Sequence, residues 1–462
     1  MQPAGEKTVC LRFVLNRVTW IAIVFIFAGI PLLVNPTAFD YWYKPKIDSL
    51  YALIVIIFAS GWLQRIFFRH KVELKKTCLF IPLCLYSFSV VVSTVRSIDY
   101  HLSLTGDLLR YESIFTLLAY VVLVFLFSSL VQREAEVHTL MRLLLLSTAL
   151  ISLYAAFQYA GYSFTEHFIV SFRQTEHRVG STIGNPNFLA KFLVLVLPLY
   201  LAYLINSPSP GAKIVFAAGF VLSFCALIFT FTRSSWIGFG VSMALFFLIC
   251  PGKQPVSRRM KKIVLSAGLV LLIFFSVGVY FAEETPENRE TFWGTMKYKL
   301  HSAFDLEQGM GTATRLFVWK KTAGIIAERP LFGHGPDTHV RVMRRFNLEY
   351  CRKFNNYVVI DRSHNNYLDI AVAQGLFGLG AYLSVVVTFI TWLWRTFQQE
   401  RHSDRKRVYA CILASFCGYL VNDLFIFSVV SVSPTFWALM GLTVALKAVS
   451  DSGNCTANGP TT

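Results

Sequence analysis

The sequence predicts an all-α polytopic membrane protein with about 12 transmembrane helices and a large, partly helical periplasmic loop between the ninth and tenth. Three observations predict it. First, 55% of the 462 residues are hydrophobic and only 15% are charged, where a soluble chain carries roughly a quarter charged residues. Second, apolar runs long enough to cross a hydrocarbon core, about 20 residues, recur along the chain. Third, one long hydrophilic interval, from Glu283 to His364, interrupts them.

The length rule places spans at 18–36, 48–64, 77–95, 113–131, 139–160, 187–206, 213–231, 235–251, 263–282, 376–395, 408–429 and 432–449. Lys7, Arg12 and Arg17 precede the first, whose apolar run exceeds a signal-peptide core and is followed by no small-x-small cleavage site, so it reads as an uncleaved span. The second is short, and the seventh and eighth are joined around Thr232 by very little. Basic clusters test the count. Arg65, Arg69 and Lys71 follow the second span, Arg258, Arg259 and Lys261 the eighth, and Arg401, Arg405 and Lys406 the tenth. All follow even-numbered spans, so the positive-inside rule sets both termini in the cytoplasm and the long loop outside.

The expected organisation is therefore spans one to nine in 1–282, an extracytoplasmic loop in 283–375, spans ten to twelve in 376–449, and a disordered cytoplasmic tail in 450–462. The net charge of +17 lies largely in clusters between apolar runs, where topology accounts for it, so no nucleic-acid partner is expected. The nine cysteines include no CxxC pair, and only Cys351 falls in the loop. Neither a loop disulfide nor a metal or other cofactor is expected.

Inside the loop, Thr314 is positioned to cap a helix whose apolar face would be Leu316, Trp319, Ala323 and Ile326, and Pro330 would end it. Leu331-Phe332-Gly333-His334-Gly335-Pro336 reads as a tight turn, with the glycines of Gly-His-Gly a turn requirement before His334 is anything else. Leu368 to Ala373 begins a further helix, which Gly375 and Gly378 loosen before the tenth span. The loop reads as a helical lid lying on the membrane.

Polar residues gather at four stations: Gly106-Asp107-Leu108-Leu109-Arg110-Tyr111-Glu112, Arg178 to Asn187, Thr232-Arg233-Ser234-Ser235-Trp236, and the loop. Under the topology above all four lie on one side. Arg233 stands between two apolar runs, where an unpaired arginine costs about 2.5–3.5 kcal/mol on insertion scales. It either snorkels to headgroups or holds an anion such as phosphate. Arg315, in a first helical turn, adds to the positive end of the dipole, which suits phosphate unless the side chain is simply solvated. His364 is structural, a proton acceptor, or as imidazolium an anion holder. Asn365 and Asp369, four apart, can orient groups beside it. Arg110 most simply pairs with Glu112, and Asn185-Pro186-Asn187 most simply caps the sixth span. Lys191, one turn further in, needs a cavity or an anion. Asn422-Asp423 would lie inside the eleventh span as structural glue or cavity lining.

In order and spacing these motifs resemble the O-antigen ligase/polymerase superfamily of bacterial inner-membrane proteins. The matching residues are Gly184-Asn185-Pro186-Asn187, Thr232-Arg233-Ser234-Ser235-Trp236, Arg315-x-x-x-Trp319, Arg329-Pro330-Leu331-Phe332-Gly333-His334-Gly335 and Ser363-His364-Asn365-Asn366-Tyr367-Leu368. The resemblance covers roughly residues 100–445. It implies a glycosyltransferase moving a glycan from an undecaprenyl-diphosphate donor to an acceptor hydroxyl, on a glycolipid, a growing glycan or a protein, at the outer face of the inner membrane. Arg233 and Arg315 would bind the diphosphate, and His364 would stand beside the acceptor hydroxyl. Lys191, Arg110, Asn185, Asn187 and Asn365 complete the candidate binding set. No metal is implied, because the arginines supply the positive charge. A repeat-unit polymerase of the same superfamily is the nearer alternative. A transporter or flippase for a lipid-linked anionic glycan is the distant one, kept by Lys191 and Asp423.

Overall fold

The computed structural model describes residues 3–68, 77–108, 110–162, 178–250, 291–297, 312–355 and 359–457. Among these residues there are helices and no strands. The protein has the architecture of a polytopic membrane protein. Six helices among the described residues are long and apolar enough to cross a membrane, with three shorter apolar helices beside them.

In chain order the helices are α1 Pro3–Val24, α2 Lys44–Phe68, α3 Phe80–Val95, α4 Tyr100–Thr105, α5 Ile114–Leu130, α6 Glu134–Tyr159, α7 Pro186–Asn206, α8 Pro210–Phe229 and α9 Arg233–Ile249. Then follow α10 Thr312–Glu328, α11 His339–Met343, α12 Asn347–Phe354, α13 Asn366–Gln399, α14 Ser403–Asn422 and α15 Ser433–Ala457. Eleven of the expected spans correspond to helices in this series; the ninth, 263–282, lies outside the described residues. The second span, short by hydropathy, is a 25-residue helix.

The bundle is organised around α7, whose residues from Phe188 to Tyr203 are buried throughout. It packs against α8 and α14, while α9 packs on α14, α15 on α5, α13 on α3 and α1 on α2. Small residues set the closest approaches. A Cβ added to Gly238 of α9 would lie 2.8 Å from the Gly418 carbonyl oxygen of α14, and one on Gly418 would lie 2.7 Å from that of Gly238. This is the small-residue contact that lets membrane helices touch backbone to backbone.

Two details differ from the sequence expectation. The buried stripe of α10 is Thr314, Phe317, Val318, Thr322 and Ile325, one position away from the expected Leu316, Trp319, Ala323 and Ile326. Phe317 decides the rotation by packing edge-on against Tyr350 and Phe354, with ring centroids 5.8 and 5.7 Å away. A second core of Phe317, Val318, Ile325, Met343, Tyr350, Ile360 and Val372 forms there. The other difference is the eleventh span. The helix ends at Asn422, so Asp423 terminates it, and residues 424–432 run as a non-helical segment through the bundle. The Asp423 carbonyl accepts from the Asn366 N–H at 2.7 Å, a contact that fixes this exit.

The loop is attached to the bundle through backbone. Gly375 breaks α13 with φ 71° and ψ −175°. The turn at 331–335 fits into that break: His334 N–H donates to the Val372 carbonyl at 2.8 Å and Leu376 N–H to that of Pro330 at 2.7 Å. A Cβ at Gly333 would lie 2.5 Å from the Val372 carbonyl oxygen, so glycine here answers a close approach as well as a positive φ.

Candidate active site

Arg233, Arg315 and His364 line a single cavity of about 290 Å³, together with Arg178, Asn187 and Asp361. At about 30 Å³ per water molecule, that is room for roughly ten waters or a small polar anion with part of what it carries. The cavity lies where the loop helix α10 and the segment before α13 meet the start of α9 and the station before α7.

Each wall follows from local structure. Thr232 precedes α9, which makes Arg233 its first helical residue and puts the guanidinium at the positive end of a helix. Opposite, Arg178 is clamped by its neighbours. It donates through Nε to the Thr230 carbonyl at 2.8 Å and through Nη2 to Asn187 Oδ1 at 2.7 Å and Thr232 Oγ1 at 3.2 Å. Asn187 stands one residue past Pro186 at the start of α7, with its N–H on the Asn185 cap at 2.9 Å. The buried Lys46 supports the station from below, its Nζ donating to the Thr182 carbonyl at 2.9 Å.

Arg315 comes from α10. Burial and the nearby guanidinium groups of Arg233 and Arg178 push its pKa down to about 10. Three guanidiniums thus line one cavity, with the Asp361 carboxylate also in its wall, and guanidinium is the side chain suited to bidentate phosphate contact. Arg315 also lies over the Phe425 ring at 5.9 Å. One turn on, Trp319 Nε1 donates to the Ser363 carbonyl at 2.9 Å, so one helix face carries the cation and grips the segment bearing His364.

His364 has φ 54°, the left-handed region, which costs a non-glycine residue about 1–3 kcal/mol and persists only where its surroundings impose it. They do so on both sides. Ser363 N–H and Oγ donate to Asp369 Oδ1 at 2.9 and 2.5 Å, and Asn365 caps α13 by accepting from Tyr367 and Leu368 N–H. The His364 ring is open to the cavity, and the Phe427 ring lies 5.5 Å away. Dense protein around it and the charge of Arg315 lower its pKa from the ordinary value, against the raising effect of Asp361 and Asp369. The imidazole is therefore neutral at pH 7 and able to take a proton.

Other expected members stand elsewhere. Arg110 does not pair with Glu112. It forms an ion pair with Asp361, with Nε 2.8 Å from Oδ2, and lies over the Phe427 ring at 5.1 Å. Glu112 instead accepts from Ser428 Oγ at 2.6 Å and Tyr120 OH at 3.2 Å. The left-handed backbone at Tyr111 (φ 55°) turns the two side chains apart. Asn185 and Asn365 are spent as helix caps. Lys191 is fully buried away from the cavity in an ion pair with Asp423, donating also to the Phe427 carbonyl at 3.1 Å. Its anion is a protein carboxylate.

Sequence reasoning did not single out Arg178, although it sits in the polar station before α7; its role shows only once α8 and α9 fold beside it. It also overlooked Asp337, a buried residue at φ 61°. Asp337 pairs with Arg362 and accepts from the Asp107 and Glu112 N–H groups at 2.7 and 3.0 Å, tying the loop to the station before α5. Phe427 had no signal at all, because its seat depends on the non-helical segment after α14.

Residues 218–383 match the family model described as O-Antigen ligase. The match contains Arg233, Arg315 and His364, while Arg178 and Asn187 lie outside it. The chain is 27% identical over 285 residues to the teichuronic acid biosynthesis protein TuaE of Bacillus subtilis (strain 168). That similarity covers 58% of the chain and 52% of the relative, so the chain spans about half the length of the curated relative it matches. Both findings support the O-antigen ligase/polymerase superfamily to which the motifs pointed.

Proposed function

We propose that the protein is an O-antigen ligase-like glycosyltransferase that moves a glycan from an undecaprenyl-diphosphate donor to an acceptor hydroxyl at the outer face of the cytoplasmic membrane. The observation that carries this reading is the convergence of Arg178, Arg233, Arg315 and His364 on one cavity. The guanidiniums hold the diphosphate and stabilise the charge it gains as it leaves. His364 accepts the proton of the attacking hydroxyl. The new bond joins the acceptor oxygen to the anomeric carbon, the bond from that carbon to the phosphate oxygen breaks, and the diphosphate departs on its lipid. Positive charge from arginine makes a divalent cation unnecessary, so chelators are expected to leave transfer intact.

The polymerase alternative has one observation in its favour: the relative named for teichuronic acid biosynthesis points to a polymer product. The same donor chemistry then serves a growing glycan as acceptor. The transporter reading is the less favoured one, since the chain is similar to glycan-processing proteins and the residues that kept it, Lys191 and Asp423, pair with each other. Glycans accumulating in a deletion strain separate the three. Lipid-linked polymer indicates a ligase, single lipid-linked repeat units a polymerase, and lipid-linked species trapped on the cytoplasmic side a flippase.

A further inference from the structure

A second cavity, of about 1180 Å³, lies among α1, α2, α5 and α6 at the far end of the bundle from the candidate active site. Helix α5 measures the separation. Its 17 residues, Ile114–Leu130, rise about 26 Å at 1.5 Å each, from just past Arg110, whose ion-pair partner Asp361 lines the candidate active site, to Ser129 and Leu130 in the wall of the second cavity. The volume exceeds the roughly 300–1,000 Å³ of ordinary small-molecule pockets.

The lining is divided by chemistry. Trp20, Ile23, Ile57, Phe58, Trp62 and Leu126 make an apolar wall. Arg12, Arg17, Arg65 and Arg133 line it too, and along each helix they lie beyond the apolar residues toward the same end. The one carboxylate in the lining, Glu136, is committed locally. It pairs with Arg133 Nε at 2.7 Å and accepts from the Gln132 N–H at 3.0 Å. Among the described residues Arg12, Arg17 and Arg65 have no carboxylate partner. Topology accounts for their side of the membrane but not for their gathering around one apolar hollow.

We propose that this cavity binds an anionic phospholipid from the bilayer, its phosphate among Arg12, Arg17 and Arg65 and its acyl chains along the tryptophan-lined wall. Basic pockets between membrane helices are suited to anionic lipid headgroups. A free anion would leave the apolar wall unused. The bound lipid fills the space between the α1–α2 hairpin and α5–α6.

The test is native mass spectrometry of the full-length protein in mild detergent, titrated with phosphatidylglycerol or phosphatidylcholine. Phosphatidylglycerol is expected to be retained about tenfold better, and Arg12→Gln/Arg17→Gln/Arg65→Gln to remove most of that preference. Gly61→Leu, which builds a side chain into the wall, is expected to reduce retention of both lipids. Equal retention of the two lipids by the unmodified protein overturns the proposal, and so does undiminished preference in the triple variant. Arg65→Gln alone carries the charge test if the triple variant does not fold: a lowered preference supports the site and an unchanged one overturns it. Displacement of phosphatidylglycerol by equimolar inorganic phosphate would overturn the bilayer lipid as occupant.

Discussion

His364 carries the sharpest residue-scale consequence. Its pKa lies below the ordinary histidine value of about 6.5, because the protein packed around the cavity and the charge of Arg315 disfavour the imidazolium. A group that acts as a base while neutral loses activity as pH falls through its own pKa. Transfer by membranes is therefore expected to be flat from neutral pH down through about 6.5 and to fall only below it. A rate that rises on acidification would assign His364 to anion holding instead. His364→Ala is expected to slow transfer by about 10²–10⁴-fold at unchanged protein abundance, the range that general-base catalysis supplies. Arg178, which the sequence reading passed over, is expected to matter as well. Arg178→Ala should weaken binding of a lipid diphosphate about tenfold, the loss of one charge-assisted contact, measured on purified protein.

At the scale of elements, the account rests on the fit between the 331–335 turn and the break in α13. Gly375→Ala would set a Cβ on the Leu331 carbonyl at a positive φ. Strain and overpacking together cost about 2–4 kcal/mol. The expected outcome is protease sensitivity in the loop with the bundle still folded, seen by limited proteolysis. Trp319→Phe is milder; it removes only the hydrogen bond to the Ser363 carbonyl, about 0.5–1.5 kcal/mol, and should lower transfer more than it lowers stability. The helices themselves were largely legible in the sequence, since about 20 apolar residues identify a span without tertiary knowledge. What was illegible depends on distant partners. Arg110 meets Asp361 and Lys191 meets Asp423 across more than two hundred residues of chain, and no local pattern announces either pair. The face of α10 was misread by one position because Phe317 answers to Tyr350 and Phe354. Arg233, Arg315 and His364, which the sequence singled out by their places at helix ends and in the loop, line one cavity in the fold; their roles there are proposals.

For the whole molecule, the proposed topology puts the loop outside and the arginines of the second cavity inside. Cys351, half-buried in α12, is expected to react with an impermeant thiol reagent only from the outer side of intact cells; labelling only from within would invert the topology. The buried Lys191–Asp423 pair belongs to the fold of the bundle. Lys191→Met leaves a carboxylate unpaired, at about 3–5 kcal/mol, and should lower protein abundance before it lowers activity per molecule. The central claim is narrower: Arg233 and Arg315 hold the diphosphate of a lipid-linked glycan during transfer. Its most direct test is glycan transfer by membranes carrying Arg233→Ala or Arg315→Ala, with protein amount measured alongside. The account predicts that either change abolishes transfer at near-normal abundance while lipid-linked donor accumulates. Full transfer by both variants would contradict it.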